Sequence, residues 1–253
     1  MVRCEKGRAK HLSDRKTIAD SKRAFNHDFP HVIPSLYRRT TDELLVELHL
    51  LSHQKHFHPD GLFAIGLSQV FDVFTRGYRP EAHVKTLFDA LCRSCGFDPN
   101  ALRKLAHKTL ESVRGHNLEE VQGWIQQQGK GAPEALAQGL RNTGNTSFHY
   151  SRLMAVGLLS LLASAQGDES SDPERLSQIA HELSESVGFS KTRVEKDLNL
   201  YKSNLEKMAQ AVELTEQILE SERRKREQKE SAKLNTGSSD QMSQGVEACS
   251  NIS

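Results

Sequence analysis

LMAVGLLSLLASA, residues 153–165, is the longest apolar run in the chain, and its reading decides the fold. A membrane-spanning helix needs roughly 20 apolar residues, so this run is too short to cross a bilayer. Arg152 and Asp168 bracket it closely. A helix that is apolar on every side and does not span a membrane must be surrounded by other elements of the same fold. The run therefore predicts a central buried helix, and the rest of the chain has to supply its jacket.

The chain has 253 residues, enough for one large domain or two small ones. Glycine and proline are sparse and clustered, and β-branched runs are rare, which predicts helix nearly throughout. Ser13 to Phe29 reads as an amphipathic helix broken by Pro30 and Pro34. SLYRRTTDELLVELHLLSHQ places Leu36, Leu44, Leu45, Leu48 and Leu51 at helical spacing, and HPDG ends it, with Asp60-Gly61 as a turn. LFAIGLSQVFDVFTRG is a second apolar helix, stopped by Gly77 and Pro80. Gly96 caps the next helix, and Asp98-Pro99 opens another. Asn117 to Glu120 resembles a capping box, and Asp172-Pro173 starts a helix closed by Gly188.

The pattern changes at Ser190. Val194, Leu198, Tyr201, Leu205, Met208, Val212, Thr215 and Leu219 alternate steps of four and three, a heptad seam. The alternative is one amphipathic helix folded back on the core. ESERRKREQKESAK follows and is charged on every side, so it cannot pack. The resulting reading is all-α: a compact multi-helix body with a long, protruding C-terminal helix carrying coiled-coil heptads. Its segments are a basic N-terminal extension (1–16), the body (17–188), the long helix (190–232) and a disordered tail (233–253).

Composition narrows the function. The formal net charge is +1, so the chain has no global field for nucleic acid or an anionic membrane. The four cysteines, Cys4, Cys92, Cys95 and Cys249, do not suggest a disulfide framework and fit a reducing compartment. The basic start, MVRCEKGRAKHLSDRK, has no apolar core of a secretory signal. Arg3, Lys6, Arg8 and Lys10 could tether it weakly to an anionic leaflet.

No motif completes an active site. HLLSHQKHFHPDG holds His49, His53, His56 and His58, and the first two share a helical face. A metalloprotease helix needs Glu directly after the first His, where Leu50 stands. Cys92-Arg93-Ser94-Cys95 lacks both a second pair and a preceding strand, so it reads as buried structural cysteine. Glu43 and Glu47 lack the Glu-x-x-His partners of a di-iron bundle, and ion pairs with Arg38 and Arg39 are their expected use, as is Arg38 with Asp42. Phosphate loops and GxSxG are absent, and the sequon at 145–147 has no secretory context. The sequence thus implies no enzyme, cofactor or metal. The alternative is a small-molecule, pigment or metal binder that uses the cluster from His49 to His58.

Six stretches together resemble one family. They are SKRAF (21–25), SLYRRTTDELLVELHLLS (35–52), VFDVFTRGYRPE (70–81), LFDALCRSCGFDP (87–99), FHYSRLMAVGLLSLL (148–162) and RVEKDLNLYKSNLEKM (193–208). They are similar to the thylakoid formation family, also called the photosystem II biogenesis protein family, over about residues 17 to 215. HQKHFHPDG and Cys95 depart from the family pattern, which argues against a shared metal site.

The resemblance implies an accessory factor, peripheral to the thylakoid membrane on its cytoplasmic face (stromal in a plastid). It implies action in photosystem II assembly and repair and support of an FtsH-type protease, with photosystem II components as further partners. The expected contact surface is Val194, Leu198, Tyr201, Leu205, Met208, Val212 and Leu219, with exposed parts of Tyr37–Glu47. The same seam would also serve self-association.

Overall fold

A computed structural model describes residues 16–143, 148–166 and 172–244. The basic extension up to residue 15, Cys4, the sequon at 145–147 and Cys249 lie outside the described residues. Ten α-helices and no strand occur among those described. The chain divides into two units, Met1–Leu205 and Glu206–Ser253.

The first unit holds α1 (Ile18–Asp28), α2 (Ser35–Ser52), α3 (Gly61–Phe74), α4 (Ala82–Ser94) and α5 (Pro99–Val113). It continues with α6 (Leu118–Gln126), α7 (Glu134–Thr143), α8 (Arg152–Gln166) and α9 (Pro173–Leu183). It ends with the beginning of α10 (Lys191–Gln244). Local chemistry sets the starts. Thr17 and Asp20 form a reciprocal capping box on α1, as Asn117 and Glu120 do on α6. Asp98 and Asp172 cap α5 and α9, each followed by a first-turn proline. Gly96 ends α4 at a φ of 85°. There the Gly96 N–H donates to the Arg93 carbonyl at 2.9 Å and the Phe97 N–H to the Cys92 carbonyl at 3.0 Å, a Schellman arrangement.

Two helices make the core. Leu153, Met154, Ala155, Leu158, Leu161 and Leu162 of α8 are essentially inaccessible, as the sequence predicts. Helix α3 is equally enclosed, with Leu62 through Leu67 buried without a break. The two cross at a pair of glycines. A Cβ on Gly66 would stand 1.7 Å from the Leu153 carbonyl oxygen. A Cβ on Gly157 would stand 1.9 Å from the Leu62 carbonyl oxygen. The helices therefore touch backbone to backbone at this crossing, each supplying the gap that the other's peptide fills. Helices α5 and α7 also pack on α3, and α6 and α9 on α8, while α1 packs between α2 and α4.

The second unit is the remainder of α10. Every side chain from Glu213 to Ser231 is exposed. The expected tail boundary at 232 is not a helix end, because the backbone stays helical to Gln244. No proline follows Pro173, so no ring blocks the helix anywhere in this stretch. Residues 245–253 lie outside the described residues.

The crossing is testable by adding one methyl group. Gly157→Ala is expected to lower the urea midpoint, with a stability loss of about 3 kcal/mol, since the facing atoms are backbone and cannot swing away. Gly123→Ala is the control. It sits in α6 with nothing within 4 Å of the new Cβ, and should gain roughly 0.5 kcal/mol through chain entropy and helix propensity.

Candidate functional site

The heptad seam does not present one continuous surface. Val194 and Leu198 are buried in the first unit. Tyr201 is half-buried, with its ring 6.4 Å from that of Phe74 in an edge arrangement. These three side chains hold α10 to the body and are not free for a partner. This corrects the expected surface and moves the end of the compact unit from Gly188 to Leu205. In the second unit Met208 is buried and Val212 half-buried, whereas Leu219 is 58% exposed.

Two further exposed apolar residues of this stretch fall outside the seam. They are Leu214 at 58% and Ile218 at 50%, an i,i+4 pair on one face. Charged pairs follow the patch: Arg224 donates to Glu220 at 2.6 Å, and Arg223 lies 3.4 Å from Glu227. The heptad frame selects a different stripe of the helix and so passes over the i,i+4 spacing of Leu214 and Ile218.

A polar junction ties α2, α8 and α10 together inside the first unit. Both oxygens of Glu47 are used: the Ser151 hydroxyl donates to one at 2.8 Å and Arg152 Nε to the other at 2.6 Å. Ser151 also accepts from the Leu153 N–H at 3.1 Å, so it caps α8. The Glu47 carboxylate thus sits at the positive end of the central helix. Next to it, the Tyr150 hydroxyl donates to Asp197 of α10 at 2.7 Å. Burial, and then the Asp197 carboxylate, push the Tyr150 phenol well above its usual range, so it stays protonated.

The expected ion pairs are therefore redistributed. Arg39 meets Glu43 at 3.0 Å as predicted. Asp42 instead lies 3.8 Å from Lys22, and the Arg38 guanidinium donates to the Ile33 carbonyl at 3.3 Å. Glu47 takes Arg152, which lies 105 positions away in sequence.

The four histidines do not converge. His49 is buried, with Nδ1 2.9 Å from the Ser21 hydroxyl, and its burial, then His53, lowers its pKa. His53 Nδ1 donates to the His49 carbonyl at 2.8 Å, while His56 and His58 are exposed in the following loop. Among the described residues no group of three or more His, Cys, Asp or Glu is placed to hold a metal. Cys92 and Cys95 are buried free thiols, and burial pushes Cys92 up to about 12 and raises Cys95. Neither is poised as a nucleophile.

Asp60, expected in a turn with Gly61, is instead the N-cap of α3, accepting from the Phe63 N–H at 2.8 Å. It is buried, and burial raises its pKa to about 6. It faces a cavity of about 400 Å³ also lined by His56, His58 and His149.

Residues 17–230 match the family described as thylakoid formation protein. The chain is 93% identical over 243 residues to the protein Thf1 of Prochlorococcus marinus (strain MIT 9313), spanning 96% of this chain and all of that one. It is 49% identical over 219 residues to Thf1 of Synechococcus sp. (strain CC9605), spanning 86% of this chain and 95% of that one. Its fold is similar to the 1.55 Å structure of Psb29, with a TM-score of 0.73 and 34% identity, covering 84% of this chain and 99% of that one.

The buried Asp60 carboxylate should be visible in the stability of the body. Its folded pKa lies above the unfolded value of 3.8. The folded chain therefore holds a proton that the unfolded chain releases, and stability falls as pH rises from about 4 to about 6. Asp60→Asn keeps a good N-cap and removes the charge. At pH 8 it should be more stable than the parent by on the order of 2 kcal/mol. At pH 4 the two should be alike. Denaturant midpoints across that pH range check both statements.

Proposed function

The chain belongs to the thylakoid formation protein family, and on that premise we propose that it is a non-enzymatic accessory factor for photosystem II biogenesis and repair. It acts by binding and supporting an FtsH-type membrane protease, through which it meets photosystem II subunits. It works at the periphery of the thylakoid membrane, on the cytoplasmic face (stromal in a plastid). In keeping with this, no helix among the described residues is long and apolar enough to cross a membrane.

The observation that carries the binding reading is the apolar patch on α10. Leu214, Ile218 and Leu219 are at least half exposed, in a chain whose other large apolar side chains are mostly buried. A helix that leaves apolar anchors in water matches helix-in-groove or coiled-coil recognition, with neighbouring charges fixing register. The partner's matching element is an apolar helix or groove on the soluble part of the protease. The buried thiols, the fully paired Glu47 and the inward His49 are consistent with binding rather than catalysis.

The test is co-purification from solubilised thylakoid membranes, with the parent chain beside a Leu214→Asp/Ile218→Asp variant. Both positions are exposed, so the thermal midpoint of the body should not move. Protease recovery is expected to fall at least about tenfold, the range expected when buried interface anchors are lost. Unchanged recovery would remove the α10 patch as the contact. If the variant instead turned a dimer into a monomer and kept the protease, the patch would serve self-association.

A further inference from the structure

The first unit carries a concave surface of its own. The end of α3, the turn after it, the first half of α4 and one face of α5 enclose a cleft of about 810 Å³. Gly77, at a φ of 77°, makes the turn. It sends Tyr78 inward, where the residue is only 2% exposed, and leaves Arg76 and Arg79 exposed on either side. Tyr37 steadies this turn, its hydroxyl donating to the Arg76 carbonyl at 3.2 Å and its ring lying 5.0 Å from that of Tyr78.

The lining has two characters. Phe71 and Phe88 give it an apolar floor, their rings 4.9 Å apart. Arg76, Arg79, Lys85 and Arg103 give it four permanent cations, against the two carboxylates of Asp72 and Glu81. Arg103 is held in place: it donates to Asp89, and its guanidinium lies 4.5 Å over the Phe88 ring. Arg76, Arg79 and Lys85 form no ion pair among the described residues.

Two residues lining this cleft, Tyr78 and Ser68, have buried hydroxyls without any hydrogen-bond partner. A buried hydroxyl that has left water and found no acceptor is costly, and native folds rarely keep one without a use. Arginines without an ion-pair partner provide donors only, in the forked geometry that suits tetrahedral oxyanions, and the phenol beside them adds an O–H that can donate.

We propose that this cleft binds a phosphate-type oxyanion, carried on a lipid headgroup or free in solution. Arg76 and Arg79 grip the charge, Tyr78 donates to one of its oxygens, and the Phe71–Phe88 floor receives any apolar portion. The site is independent of the protease contact, because it shares no residue with the Leu214–Leu219 patch.

The experiment uses the full chain in two arms. One titrates inorganic phosphate and follows phosphorus NMR line widths. The other measures co-flotation with phosphatidylcholine vesicles, with and without phosphatidylglycerol. Saturable binding in the first arm identifies a free oxyanion, and binding only to the anionic vesicles identifies a headgroup. Either result supports the site provided that Arg76→Glu/Arg79→Glu abolishes it and Tyr78→Phe weakens it about tenfold, as loss of one hydrogen bond to a charged group does. Lys130→Glu/Arg175→Glu carries the same charge change at exposed positions outside the cleft and should bind like the parent. Equal loss in that control means diffuse electrostatics and overturns the proposal, as does the absence of binding in both arms. A Tyr78→Phe chain that binds as the parent does would also overturn it, because the hydroxyl would then have no part in the site.

Discussion

The body rests on one contact, the backbone crossing of α3 and α8 at Gly66 and Gly157. Each glycine leaves a hollow the size of a methyl group, and the carbonyl of the facing helix occupies it. Side chains on ordinary helices hold axes about 8–10 Å apart, and dispensing with them allows a closer approach here. With their backbones in contact, the two most apolar helices of the chain enclose each other along much of their length. What remains exposed of them is covered by α5, α6, α7 and α9. Polar anchoring is then concentrated at one end of α8, where Glu47 and Ser151 meet its first turn.

That end of α8 also fixes α10. Tyr150 precedes the helix and binds Asp197, while Val194 and Leu198 sink into the core beside it. One continuous helix therefore has two roles along its length. Up to Leu205 it is part of the body. From Glu213 to Ser231 it offers every side chain to solvent, with an apolar patch followed by charged pairs. A partner that grips this later stretch needs no change in the body, which fits an accessory factor that supports a larger assembly. The oxyanion cleft lies on other helices and would act independently.

Much of this was legible in the chain because it follows from local chemistry. The apolar run at 153–165 had nowhere to go but the core. Asp98, Asn117 and Asp172 are side chains whose capping role depends only on their immediate neighbours, whereas the Thr17 cap places the start of α1 at Ile18 and not at the expected Ser13. The glycine crossing was hidden, because periodicity reports that a helix is buried and says nothing about how near its neighbour lies. The partner of Glu47 was hidden for the same reason: Arg39 is close in sequence, but Arg152 is the one delivered by packing. Asp60 looked like a turn residue since Asp-Gly is a common turn pair, yet the burial of α3 draws its cap inside. His49 and its three neighbours suggested a cluster only while written on a line. In the fold one points at Ser21, and the others stay near the surface.

On the proposed function, the first unit is the body and the exposed stretch of α10 its handle. Amide hydrogen exchange of the full chain, alone and with the solubilised protease, tests this directly. Amides of α3 and α8 should be the slowest to exchange, since only global opening separates the two backbones. Amides from Glu213 to Ser231 should exchange fastest among the helices and should be the ones slowed by the protease. If that stretch is already as protected as α8 in the free chain, or if the protease slows only amides of the body, the division of labour along α10 is wrong.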